Sequence, residues 1–120
     1  MQDEDLAFLT WTRGNIVRLL QSGADFFPAL RAAIDGAQGS VHLETYIFDL
    51  DLVGDSVLDS LVAAARRGVH VCLVLDGFGS HANIDAVRAR LAEAGGQCMV
   101  FRPEPRWLGK LIPSRRRLRR

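Results

Sequence analysis

Within His42–Ser80 the chain switches from strand period to helix period and back, and this constrains the fold more than any other feature. An apolar run, Val41–Phe48, broken by Glu44, is followed by Asp49-Leu50-Asp51-Leu52-Val53-Gly54. Next come a helical stretch, Asp55–Arg67, and a second apolar run, Val69–Leu75. Val57, Leu58, Leu61, Val62 and Ala65 fall on one helical face, Asp55 is placed to cap the start, and Arg66-Arg67-Gly68 supplies cations and a left-handed stop. At about 1.5 Å per residue the helix spans roughly 18 Å, close to a seven-residue strand at about 3.3 Å per residue. A parallel strand–helix–strand crossover therefore fits. The second strand runs into Asp76-Gly77-Phe78-Gly79-Ser80, which sets a glycine-rich turn at the edge where open α/β sheets bind ligands.

The same alternation extends outward. Residues 1–13 form a lead-in with Trp11 as a packing anchor, Gly14-Asn15 a turn, and Ile16–Leu20 a short strand whose partner cannot be read. A helix from Asp25 to Ala37 gathers Phe26, Phe27, Leu30, Ala33 and Ile34 on one face, with Pro28 in its first turn, and that face is expected to cover a sheet. A third helix starts after Asn83, buries Ile84, Val87 and Leu91, and stops at Gly95-Gly96. Cys98–Phe101 is a last strand, and Pro103, Pro105 and Pro113 mark an extended connection. The expected class is α/β, a mainly parallel sheet flanked by helices. Its domain would occupy residues 14–112, leaving 113–120 as a basic tail or connection.

These residues resemble the phospholipase D superfamily and, within it, the bacterial cardiolipin synthases. The matching pieces are Gly14-Asn15, Leu43-Glu44-Thr45-Tyr46-Ile47-Phe48, Asp51-x-x-Gly54, Ala63-Ala64-Ala65-Arg66-Arg67-Gly68-Val69 and Leu75-Asp76-Gly77-Phe78-Gly79-Ser80, covering about residues 11 to 112. Their order and spacing carry the likeness, since no single piece is specific. The resemblance implies an incomplete phospholipase D-like half-domain. It further implies a parent enzyme in which one histidine attacks a phospholipid phosphodiester to give a phosphohistidine, and a second protonates the leaving alcohol. The substrate would be phosphatidylglycerol-like, and no cofactor or metal would be needed.

That family uses two His-x-Lys-x-x-x-x-Asp motifs, and neither occurs here. The three histidines are followed two residues later by Glu44, Cys72 and Asn83, and the only lysine, Lys110, has Leu108 two residues before it. Arg119-Arg120 falls about where the first motif would begin, so the expectation is an amino-terminal fragment, inactive alone, whose partner is the missing carboxy-terminal half. A chain of 120 residues, 48% hydrophobic, suffices for one small domain burying roughly two-thirds of its unfolded surface. No apolar run approaches the ~18 residues of a membrane span, and Met1-Gln2-Asp3-Glu4-Asp5 is unlike a secretory signal. A cytoplasmic location is expected, with any contact at the inner membrane face peripheral. Cys72 and Cys98, both in predicted strands, read as buried thiols, not a disulfide.

The net charge of +1 hides a division. Residues 102–120 carry eight basic side chains against the single acid Glu104, a net +7, leaving 7 basic against 13 acidic in residues 1–101, a net −6. Arg115, Arg116, Arg117, Arg119 and Arg120 are candidates for contact with phosphate or anionic lipid, against the simpler reading of a solvated basic end. They also support an alternative function, a non-catalytic domain that binds anionic lipid or nucleic acid. In the leading reading nucleic acid is not an expected partner.

Three residues are candidates for a substrate pocket. Glu44 interrupts an apolar strand, where an unpaired carboxylate costs several kcal/mol and so needs a partner or a wet cleft. By the resemblance it would line the phosphatidyl pocket, and Asp76 and Ser80 would border the headgroup. For Glu44 a structural carboxylate bonded to a neighbouring loop is equally open, and for the Asp76–Ser80 segment the plain reading is a turn made possible by its two glycines. Asp49-x-Asp51 resembles in spacing the haloacid-dehalogenase phosphotransferases, whose paired carboxylates hold magnesium, but Gly54 comes too late for that turn. Gly77-x-Gly79-x-x-Ala82 has the form of a dinucleotide fingerprint, yet Asp76 before the first glycine would repel a pyrophosphate. His42 and His70 read as strand histidines, and no Cys/His spacing suggests zinc. Trp107 beside Arg106 and Lys110 fits a membrane interface or a plug for the open sheet edge.

Overall fold

The structure is a computed structural model that describes residues 10–80 and 82–102. Three helices and three strands alternate: α1 (Ser22–Gly36), β1 (Ser40–Thr45), α2 (Leu52–Arg66), β2 (His70–Asp76), α3 (Ile84–Glu93) and β3 (Gln97–Phe101). The strands form one parallel sheet in the order β1-β2-β3. Ser40 is opposite His70 and Thr45 opposite Leu75, while Cys72 is opposite Gln97 and Asp76 opposite Phe101. This is the expected mainly parallel α/β class.

Apolar residues spaced two apart on β2 meet apolar residues spaced three and four apart on α2, and that match makes the core. Val71, Leu73 and Leu75 are buried against Leu58, Leu61 and Ala64 of α2 and Val87 and Leu91 of α3. Burying each such side chain stabilises the fold by about 1.5–3 kcal/mol. Two glycines in positive φ, Gly68 at +92° and Gly95 at +89°, end α2 and α3 as their positions predict.

Four expectations change. Residues 16–20 form no strand: Ile16, Val17 and Leu19 are over nine-tenths exposed, and no strand among the described residues pairs with them. Strand propensity without a partner leaves backbone groups with nothing to bond. The first helix begins at Ser22 and not at Asp25, which moves Pro28 inside it. Asp25 instead accepts the Gln21 N–H in front of the first turn. α1 also packs chiefly on α2, so its one buried residue is Ile34 while Phe26 and Phe27 remain exposed. Finally, Asp51, not Asp55, caps α2: its Oδ1 accepts the Gly54 N–H at 2.7 Å. This frees Asp55, one turn on, to pair with Arg90 of α3, which also reaches Asp59.

The described residues cover only one face of the sheet. Val41, Leu43, Val71, Leu73, Leu75 and Cys98 face the helices. The opposite face carries exposed His42, Glu44, His70, Met99 and Phe101, and no described element lies on it. Parallel sheets are ordinarily buried on both faces, so this is an incomplete α/β fold.

Candidate functional site

The carboxyl ends of β1, β2 and β3 share one edge of the sheet, and most of the singled-out polar residues lie there or in the loops that leave it. The loop after β1 (46–51) and the loop after β2 (77–83) are tied together there. Ser80, 1% exposed, receives the Phe48 N–H on its Oγ at 2.9 Å and donates its own proton to the Tyr46 carbonyl at 3.1 Å. Asn83 donates from Nδ2 to the Phe48 carbonyl at 3.2 Å and lies 3.5 Å from Asp49 Oδ1. A residue expected to cap α3 thus binds the neighbouring loop, and it makes no side-chain cap bond. The backbones approach so closely that a Cβ on Gly79 would collide with the Tyr46 carbonyl, and one on Gly54 with the Asp49 carbonyl. Glycine is required at both positions for that reason.

Asp76 ends β2 with its carboxylate buried. Oδ2 accepts the N–H groups of Phe78 and Gly79, both at 3.0 Å, which closes the glycine turn on itself. Oδ1 faces Arg102, whose Nη2 is 3.3 Å away. The Gly77 N–H donates to the Phe101 carbonyl at 2.8 Å, carrying β2–β3 pairing up to this edge. Arg102 follows β3 directly with φ +51°, and its guanidinium carbon sits 5.1 Å from the Phe101 ring centroid. The sequence marked Arg102 only as part of a basic stretch; its position one residue beyond a strand was the signal.

Of the three pocket candidates, Asp76 and Ser80 come together at this edge, each already holding loop backbone. Glu44 sits apart, one residue from the end of β1 on the uncovered face, where it is exposed to solvent. The cleft or partner expected for it is not formed by the described residues, because the face it points to has no second layer. Arg115, Arg116, Arg117, Arg119 and Arg120, with Trp107 and His81, lie outside the described residues. Among the described residues no group of three or more His, Cys, Asp or Glu is arranged to hold a metal ion. His42 and His70 stand 5.9 Å apart between ring centroids on the open face.

Two thiols lie on opposite faces of the sheet. Cys72 is buried on the uncovered side, with its sulfur 3.9 Å from that of Met99. Cys98, half-buried against the helices, has its thiol pushed up by burial, an effect that Arg88 partly offsets. Both are free, as expected.

Comparison with known proteins adds what the geometry cannot. Over 110 residues, 92% of this chain, the sequence is 40% identical to cardiolipin synthase B of Salmonella typhimurium. Relatives that match nearly the whole of this chain are thus cardiolipin synthases. It is also 38% identical over 111 residues to cardiolipin synthase B of Escherichia coli K12. Against the major cardiolipin synthase of Bacillus subtilis it is 34% identical over 108 residues. No family model matches the chain. The chain spans about a quarter of the length of the relatives it matches, 27% of the two synthases B and 21% of the Bacillus protein. No described helix is long and apolar enough to cross a membrane.

Proposed function

We propose that this chain supplies the amino-terminal part of a phosphatidyltransferase lobe that makes cardiolipin from phosphatidylglycerol-like lipids. The observation that carries this reading is the 40% identity over 92% of the chain to a cardiolipin synthase about four times as long. The sheet face left uncovered by the described residues supports it, since a parallel sheet with exposed Met99 and Phe101 is ordinarily covered by a second layer.

In the full enzyme a histidine from that further sequence attacks the phosphorus of a phospholipid diester. A P–N bond forms, the P–O bond to the leaving glycerol breaks, and a second histidine gives that alkoxide its proton. The hydroxyl of another phosphatidylglycerol then gives its proton back to the second histidine, forms the new P–O bond and breaks the P–N bond, giving cardiolipin. This chain carries neither histidine in the required motif. Its part is positional: Asp76 and Ser80 hold the loops that border the headgroup, and Glu44 faces the side that the rest of the protein closes. Membrane contact is peripheral in this reading.

The test is a chimera in which residues 1–120 replace the matching stretch of Salmonella cardiolipin synthase B. On phosphatidylglycerol vesicles it is expected to form cardiolipin, and the 120-residue chain alone to form none. A folded chimera without activity, or turnover by the short chain, overturns the proposal.

A further inference from the structure

We infer that Arg102 is an anion-holding residue whose guanidinium turns from Asp76 to the two non-bridging oxygens of a phosphodiester at the carboxyl edge of the sheet. The inference rests on the proposed phosphatidyl transfer and names a binding residue for it. Several observations converge. Among the described residues Arg102 is the one cation that directly follows a strand at this edge; the others lie on the helices, at their ends or in the lead-in. Its side chain is 69% exposed although its partner Asp76 is 7% exposed, so the guanidinium is open to a ligand.

Its hold on Asp76 is also replaceable. The contact is single and 3.3 Å long, beyond the 2.7–2.9 Å usual for a charge-assisted hydrogen bond. Asp76 keeps two backbone N–H donors on its other oxygen when Arg102 leaves, so the buried carboxylate is not stranded. The guanidinium has five N–H groups, one of them engaged here, and its fork matches a diester's paired oxygens.

The backbone points the same way. Arg102 adopts φ +51°, in the left-handed region that side chains with a Cβ avoid, and such conformations gather where a site fixes a side chain's direction. The Phe101 ring, 5.1 Å from the guanidinium carbon, supports the planar group on one face. The same arrangement resolves the electrostatic objection raised by Asp76. Oδ2 is turned inward to the Phe78 and Gly79 N–H groups and Oδ1 is covered by Arg102, so the arginine is what an incoming anion meets first.

The experiment uses the whole 120-residue chain, labelled with 15N, and glycerophosphoglycerol, the soluble diester headgroup of phosphatidylglycerol, at low salt. Saturable shifts are expected at the Arg102 Nε–H and at the Phe78 and Gly79 amides that share Asp76. Arg102→Gln is expected to weaken binding about tenfold or more, Arg102→Lys less, and Arg88→Gln on α3 not at all. Unchanged affinity in Arg102→Gln, or shifts confined elsewhere, overturns the inference. Inorganic phosphate binding as tightly as the diester overturns the choice of ligand. Failure here is separable from failure of the functional reading: a chimera that makes cardiolipin at an undiminished rate with Arg102→Gln sinks this inference alone. Diester binding at Arg102 with an inactive chimera sinks the other.

Discussion

The hydroxyl of Ser80 accepts the Phe48 N–H at 2.9 Å, joining residues 32 apart in sequence across the two loops that leave the sheet edge. One oxygen thereby satisfies a donor after β1 and, through its own proton, the Tyr46 carbonyl beside it. Ser80→Ala would take the hydroxyl away from the buried Phe48 N–H and from the Tyr46 carbonyl. Destabilisation of about 1–3 kcal/mol is expected, read as a lower urea midpoint at unchanged slope. A midpoint equal to wild type would show that water replaces the hydroxyl.

Two glycine substitutions should have opposite signs. At Gly79 a Cβ meets the Tyr46 carbonyl, so Gly79→Ala forces the β1 and β2 loops apart and is expected to cost about 1–3 kcal/mol. At Gly36, the last residue of α1, nothing lies near a new Cβ, and Gly36→Ala should stabilise by about 0.4–1 kcal/mol by restricting the unfolded chain. Thermal unfolding of the pair is the check; equal effects would disprove the backbone contact.

Arg90 bridges α3 to Asp55 and Asp59 of α2, and Asp55 is the main reason its guanidinium is held more firmly in the charged form. All three side chains are more than a third exposed. Exposed pairs are worth about 0.2–1 kcal/mol, so Arg90→Ala should cost little in dilute buffer and still less in 1 M salt. A large, salt-independent loss would mean that packing of the arginine stem, not charge, joins the helices.

Cys98 should make stability depend on alkaline pH. Burial raises its thiol, with Arg88 opposing, so the folded chain holds that proton more tightly than the unfolded one. The contribution is complete below the ordinary thiol value, about pH 8.5, and is lost as pH rises through the folded value. Urea midpoints from pH 7 to 10 should therefore fall more steeply for wild type than for Cys98→Ala. Arg88→Gln should slow alkylation of Cys98 further at pH 8. Parallel midpoint curves, or unchanged alkylation, would count against burial as the controlling effect.

Much of the fold was legible because it rests on short-range regularities. The strand at Val69–Leu75 and the helix before it repeat apolar residues at the periods of those elements, and they appear within about three residues of the expected bounds. Asp51-x-x-Gly54 was legible as a motif but not as a cap. Asp55 also had a capping side chain, and what decided was backbone space above Gly54, which only the Asp49 carbonyl reveals. Ile16–Leu20 had strand residues but, among the described residues, no strand to pair with. The site was less legible still: Asp76 and Ser80 were chosen for position, but their bonds to Phe78, Gly79 and Phe48, and the approach of Arg102, depend on how the loops fold back.

By itself the sequence determined the order of elements, the parallel crossover and the stops at Gly68 and Gly95, because periodicity and backbone preference act between near neighbours. The tertiary structure alone decided which sheet face stays open, that Glu44 lies on it in solvent, and which partner each edge side chain takes. A hydrogen bond or a buried face requires groups distant in sequence to meet within a few ångströms, and that meeting is set by packing of whole elements.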